Sequence, residues 1–166
     1  MAQNTVGYLK TNSGKKGEGM PVVRNPQYYF KEGFCWTNVL NPQARLLKAR
    51  LKEKSVNDVG SMSLFSMHKN IPNFYLIVLL NSNFLFDYYR EFINCTVNIQ
   101  INDIRQLPVF IPALNNLEKC HYLYEEVLHK KKNEYLRNNK IKRQNYNLIE
   151  IEAQLNDFIE KLYQIV

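Results

Sequence analysis

The sequence predicts an α+β protein, a mixed α/β domain over residues 1–114 followed by a C-terminal antiparallel helical hairpin over residues 115–166. Three observations predict it. All six glycines fall at or before Gly60. Aromatic and β-branched residues rise from Val22 onward, broken by turn pairs. Beyond Asn115 the apolar residues recur every three or four positions, the period of a helix. With 166 residues, 45% of them hydrophobic and 13% aromatic, the chain has material for a buried core.

The first twenty residues, with "GYLKTNSGKKGEGMP", read as turns and loop around at most one short strand. From Val22, "VV", "YYF" and "FCWTNVL" read as short strands separated by the Asn25-Pro26 and Glu32-Gly33 turns. "RLLKARLKEKSV" fits two periods, because Leu51 lies between Arg50 and Lys52 as in a strand while Leu47 and Leu51 are one helical turn apart. Residues 22–66 as a whole read as mostly strand and loop.

"IPNFYLIVLLNSNFLFDYYREFIN" changes character. Phe74, Ile77, Val78 and Leu80, then Leu85, Tyr88, Tyr89 and Phe92, follow helical spacing, and Ser82 in Asn81-Ser82-Asn83 is placed to cap a second helix. Two consecutive helices are predicted. In "CTVNIQIND", Cys95 to Asp103, Val97, Ile99 and Ile101 alternate with Asn98, Gln100 and Asn102, which predicts a half-buried strand. Pro108 and Pro112 mark the exit from this domain.

Leu117, Cys120, Tyr124, Val127 and Leu128 form one helical stripe. Leu148, Ile151, Leu155, Phe158, Leu162 and Ile165 form another with heptad regularity. The polar, basic "RNNKIKRQNY" between them reads as a helix-to-helix connection. Such a hairpin either packs a core or docks against other chains.

The net charge of +7 is not evenly distributed. Residues 1–54 hold ten Lys/Arg against three acids, residues 55–116 three against four, and residues 117–166 nine against eight. A surface that follows a phosphate backbone segregates charge in this way, although a solvated face could also carry it. The composition does not distinguish DNA from RNA.

Other classes find little support. The longest apolar run, Phe74 to Leu80, is far short of the roughly 20 residues that span a bilayer, and the N-terminus has no signal-peptide core. A cytoplasmic protein with no membrane partner is the expectation. Cys35, Cys95 and Cys120 are scattered, and His68, His121 and His129 are isolated, so neither a disulfide framework nor a metal site is indicated.

"NPQY", Asn25 to Tyr28, comes within one residue of the Asn-Pro-Pro-aromatic turn with which adenine methyltransferases hold a flipped base. Gln27 replaces the second Pro. A cofactor-binding α/β module with a glycine-rich loop would also be needed, and no glycine follows Gly60. P-loop, Ser-nucleophile, Cys-His and metal-nuclease patterns are likewise missing. No catalytic residue and no cofactor are predicted; the residues favour binding over turnover.

A longer comparison is more specific. "RNPQYYFKEGFCWTNV" resembles the Asn-Pro-x-Tyr-Tyr-Phe-x-Glu-Gly-x-x-Trp-Ser/Thr block of target recognition domains in type IIG restriction-modification enzymes and related adenine-specific methyltransferases of BREX phage defence. "DVGSMSLF", "FYLIVLLNSNFLFDYY" and "NCTVNIQINDIRQLPVFIP" resemble the next blocks in order, and "LIEIEAQLNDFIEKLYQIV" is similar to the helical segment near the family's C-terminus. The resemblance covers the chain from about Met20 to the end.

It implies a target recognition domain that reads a short double-stranded DNA site, followed by spacer or docking helices, similar to half of a type I specificity subunit. It also implies an adenine-specific methyltransferase module or subunit as partner, with S-adenosylmethionine bound there. Tyr28, Tyr29, Phe30, Gly33, Trp36, Gly60, Phe65 and Leu107 would be scaffold, with Tyr28-Tyr29-Phe30 packing a core. Readout would come from the loop Gly14–Gly19 and the segment Thr37–Lys54. The candidate DNA-binding residues are Lys15, Lys16, Lys48, Lys52 and Lys54 for phosphates and Thr37, Asn38, Arg45 and Arg50 for base edges in the major groove. The contrasting expectation is a helical protein-interaction module, or a fragment of a larger methyltransferase polypeptide, in which the basic third is incidental.

Overall fold

Gly33-Phe34-Cys35-Trp36-Thr37 form the central strand β1 (Gly33–Thr37) of a three-stranded antiparallel sheet in the order β2-β1-β3. The computed structural model describes residues 26–41, 43–56, 61–137 and 146–164. Strand β2 (Arg50–Lys52) pairs Cys35 with Arg50, and β3 (Ser61–Leu64) pairs Trp36 with Met62. The ambiguous "RLLKARLKEKSV" thus resolves into a loop followed by an edge strand.

Alternation across the pleat gives this sheet two unlike faces. Phe34 and Trp36 point to the core, 2% and 1% exposed. Gly33, Cys35, Thr37, Arg50 and Lys52 share the other face. Gly33 has to be glycine because an added Cβ would stand 2.5 Å from the Leu64 carbonyl oxygen and 2.6 Å from the Phe65 ring. Phe65 stacks on Tyr28, with ring centroids 5.0 Å apart.

The helix α1 (Asn73–Leu80) is apolar nearly all round and is correspondingly enclosed, with Tyr75, Ile77, Val78, Leu79 and Leu80 buried. Helix α2 (Asn83–Tyr88) follows after Ser82, whose Oγ accepts the Leu85 N–H at 3.2 Å and donates to the Leu79 carbonyl at 2.7 Å. The predicted pair of helices with a serine cap between them is what forms. A π-helical turn, Tyr89–Ile93, extends α2.

Two strand expectations are corrected. Tyr28-Tyr29-Phe30 is not extended: Pro26–Tyr28 is a 3-10 turn and Phe30 has φ 59°, with its side chain 39% exposed. Pro26 pre-sets the φ of a tight helical turn, so the chain turns before β1 begins. Cys95–Asp103 is not a strand either. Its only bridge among the described residues is Val39 with Asn98, and Ile101–Ile104 is a short helix, α3. The polar side chains capture the backbone instead. Asn94 Oδ1 accepts the Thr96 N–H at 2.8 Å, and Asp103 Oδ2 accepts from the Gln100 N–H at 3.0 Å, from Asn94 Nδ2 at 2.8 Å and from the Tyr89 hydroxyl at 3.3 Å. The alternating pattern survives in part, because Ile99 is fully buried.

Helices α4 (Leu114–Arg137) and α5 (Tyr146–Leu162) close the fold. They run antiparallel: Lys131 late in α4 pairs with Glu152 early in α5 at 2.6 Å. At the opposite end, the Tyr163 hydroxyl accepts from the Phe110 N–H at 2.9 Å and donates to the Pro108 carbonyl at 2.8 Å, just before α4 begins. The connection expected between the helices lies outside the described residues except at its ends, as do "VV", Gly60 and Ile165.

One buried cluster runs from Phe34, Trp36, Leu47 and Tyr75 to Cys120, Tyr124, Phe158 and Ile159, so packing is continuous across residue 114. Each large side chain fully withdrawn from water contributes about 1.5–3 kcal/mol. Lashings add to it: the Tyr75 hydroxyl donates to the Phe110 carbonyl at 2.9 Å, and Asn156 Oδ1 accepts the Asn83 N–H at 2.8 Å.

Candidate nucleic-acid interface

The described candidate residues are not equivalent once folded. Thr37 and Arg50 stand on the same outward face of the sheet and both are exposed. Arg50 lies across Cys35, its Nε donating to Sγ at 3.4 Å, and this contact buries the thiol beneath the guanidinium stem. Arg45, Lys48 and Lys54 are exposed along the chain on either side of β2. None of Arg45, Lys48, Arg50 or Lys54 has an ion-pair partner among the described residues. Asn38 is half-buried, and its carbonyl accepts the Ile99 N–H at 2.9 Å.

Lys52 is a correction. It is 6% exposed, and its Nζ donates to the carbonyls of Lys31 at 3.2 Å, Glu53 at 3.3 Å and Ser55 at 2.9 Å. All three of its donors are used within the fold, and the ammonium also lies 5.6 Å from the centroid of the Phe65 ring. Burial pushes its pKa down from 10.5, a trend that nearby Cys35 partly opposes. This lysine ties the Glu53 and Ser55 carbonyls to that of Lys31 and is not placed to meet a phosphate. Lys15 and Lys16, with the loop Gly14–Gly19, lie outside the described residues.

What fixes the basic segment is Asn81, at the C-terminus of α1. Its side-chain amide pairs with the backbone of Ala49, accepting the N–H at 2.8 Å and donating to the carbonyl at 2.7 Å. The neighbouring Lys48 takes φ 55°, a left-handed conformation costly for a residue with a Cβ. The chain is thus held in a strained turn that carries a cation, between two buried anchors, Leu47 and Ala49.

Beside this segment lies a cleft of about 580 Å³ between the approach to β2, the α1–α2 junction and the helical pair. Val78, Val127, Leu128 and Leu155 contribute apolar walls, and Arg45, Lys48 and Lys131 contribute cations. Sequence reading missed Lys131, Glu152, Asn81 and Asn156 as parts of one site. Asn81 and Asn156 each carry a side-chain amide at a helix end or on a helix face, with no periodic signal to set them apart.

Neither a protein-family model nor a curated protein matches this chain. The likeness to recognition domains is carried by the quoted residues alone.

The remaining perturbed groups belong to the core. Burial pushes the Cys120 thiol and the Tyr124 hydroxyl each up to about 12, and raises Tyr75, Tyr89 and Tyr163. Among the described residues no three His, Cys, Asp or Glu side chains gather as metal ligands. No described helix is long and apolar enough to cross a membrane.

Proposed function

We propose that this chain recognises double-stranded DNA, acting in the cytoplasm as the specificity element of an adenine-specific methyltransferase that supplies the chemistry and binds S-adenosylmethionine. The observation that carries the reading is the row Arg45, Lys48 and Arg50, three exposed cations with no ion-pair partner among the described residues, held in a defined conformation by the pairing of Asn81 with Ala49. Cations fixed on a rigid element supply phosphate contacts at low entropic cost, and an arginine beside a small polar residue such as Thr37 has the donor geometry that reads guanine in the major groove. The segregation of positive charge into residues 1–54 favours a polyanionic partner in the same way.

The test is selection of duplexes from a random pool by the full chain at low salt. Enrichment of a short motif is expected. Arg50→Gln should relax the preference at one base pair, worth about 1–3 kcal/mol of discrimination. A pool returned without enrichment, together with no retained duplex, would reject the reading.

A specific feature favours a second reading, a protein-docking module. Val109, Phe110, Ile111 and Leu114 are 40%, 47%, 50% and 72% exposed in succession before and at the start of α4. An exposed apolar run of this kind suits a subunit contact. The two readings are compatible if the partner is the methyltransferase; only the second survives if duplex DNA is not bound.

A further inference from the structure

The cleft between the basic segment and the helical pair has the properties of a built ligand site. Its walls are fixed at two points by side-chain amides: Asn81 holds Ala49 on one side, and Asn156 accepts the Asn83 N–H at 2.8 Å on the other. Both clamps come from or reach the α1–α2 junction, so the walls are pinned to the same buried base, where Ser82 is 1% exposed. The cleft is therefore pre-formed. Its size, about 580 Å³, falls within the roughly 300–1,000 Å³ typical of small-molecule sites.

The chemistry of the lining selects the occupant. Val78, Val127, Leu128 and Leu155 offer apolar contact. The rim carries Arg45, Lys48 and Lys131 against one carboxylate among the described lining residues, Glu152. Glu152 is already matched by Lys131 at 2.6 Å, which leaves Arg45 and Lys48 without a carboxylate partner among the described residues. An apolar floor with a cationic rim is complementary to a molecule with an apolar body and an anionic head.

We propose that this cleft binds a small anionic amphiphile, an acyl chain or aromatic ring system bearing one carboxylate or sulfonate group. The apolar body lies against Val127, Leu128 and Leu155, and the head group meets Arg45 and Lys48. This site shares Arg45 and Lys48 with the proposed DNA surface but does not require that duplex be bound. It differs from a phosphate-tracking surface in requiring an apolar body as well as a charge.

The experiment is calorimetric titration of the full chain with dodecanoate below its micelle concentration. Dodecanol and dodecyltrimethylammonium serve as uncharged and cationic probes with the same chain. Saturable binding of one dodecanoate per chain is expected, with both comparison probes at least tenfold weaker. The Arg45→Gln/Lys48→Asn double variant should weaken dodecanoate about tenfold and leave dodecanol unchanged. Both residues are exposed, and Asn tolerates the left-handed turn at position 48, so the fold is retained. Leu155→Trp should fill the cleft and abolish binding, with folding checked by circular dichroism. The proposal is overturned if dodecanoate does not saturate, if the cationic probe binds equally well, or if the double variant binds dodecanoate unchanged. It is also overturned if an amphipathic Leu/Glu peptide saturates the site and dodecanoate does not, a result that would assign the cleft to a protein partner.

Discussion

Asn81 and Ala49, 32 residues apart in sequence, are joined as one strand is joined to another, through one N–H accepted at 2.8 Å and one carbonyl engaged at 2.7 Å. A helix terminus thereby supplies with its side chain the pairing that the edge strand β2 lacks just before Arg50. The consequence is positional. The cations at 45, 48 and 50 are set by a helix buried in the core, and a flexible loop would not fix them so.

Asn81→Ala removes both hydrogen bonds and leaves the backbone of the buried Ala49 unpaired. A loss of about 1–3 kcal/mol is expected, measured as a lower urea midpoint at unchanged slope. Because the turn at Lys48 is held by the same pairing, duplex affinity should fall as well, although Asn81 is uncharged. A variant with wild-type stability would remove the clamp from the account.

Lys52 and Lys54 are two residues apart and should behave oppositely. Lys52→Met strips three carbonyls of their donor and is expected to cost about 1–3 kcal/mol. Lys54→Ala, at an exposed position, should change stability by less than about 0.5 kcal/mol. Only the second should lower the salt dependence of DNA binding. Equal effects of the two on folding would contradict the buried placement of Lys52.

Gly33→Ala should be destabilising by about 1–3 kcal/mol through overpacking, since neither the Leu64 carbonyl nor the Phe65 ring stacked on Tyr28 can retreat freely. The accompanying Phe65→Leu change should restore part of the loss by relieving the ring contact. Thermal midpoints of the single and double variants measure this directly.

The thiols report the fold chemically. Cys95 is exposed, Cys35 lies under Arg50 and Cys120 is fully buried, so a disulfide reagent at neutral pH should titrate one thiol rapidly and two only on unfolding. Cys120 holds its proton to about pH 12 when folded, against 9.0 when unfolded. Between those values the native state binds more protons than the unfolded state, so stability present below pH 9 is lost as pH rises toward 12. Urea midpoints should fall across that window, and less steeply in Cys120→Ala.

Much of this architecture was legible in the sequence because its strongest signals are local. The α1–α2 pair followed from apolar spacing and a serine in the capping position, and both terminal helices followed from stripes at three and four. The alternation of Cys95–Asp103 misled because polar side chains at Asn94 and Asp103 satisfy the backbone that a strand would have paired. Period alone does not reveal that competition. The site was legible only as composition. The exposure of Arg45, Lys48 and Arg50 and the burial of Lys52 depend on where the Lys31, Glu53 and Ser55 carbonyls converge, a tertiary property that one-dimensional spacing does not encode.

The most direct measurement is the slope of log affinity against log salt concentration for a random duplex, comparing the full chain with its Arg45→Ala/Lys48→Ala/Lys54→Ala variant. Each lost phosphate contact should reduce the slope by about one unit, so a wild-type chain that binds tightly at low salt should lose about three units of slope in the variant. No binding by the wild-type chain at low salt, or the same slope in both proteins, would contradict a DNA-recognising surface built on these residues.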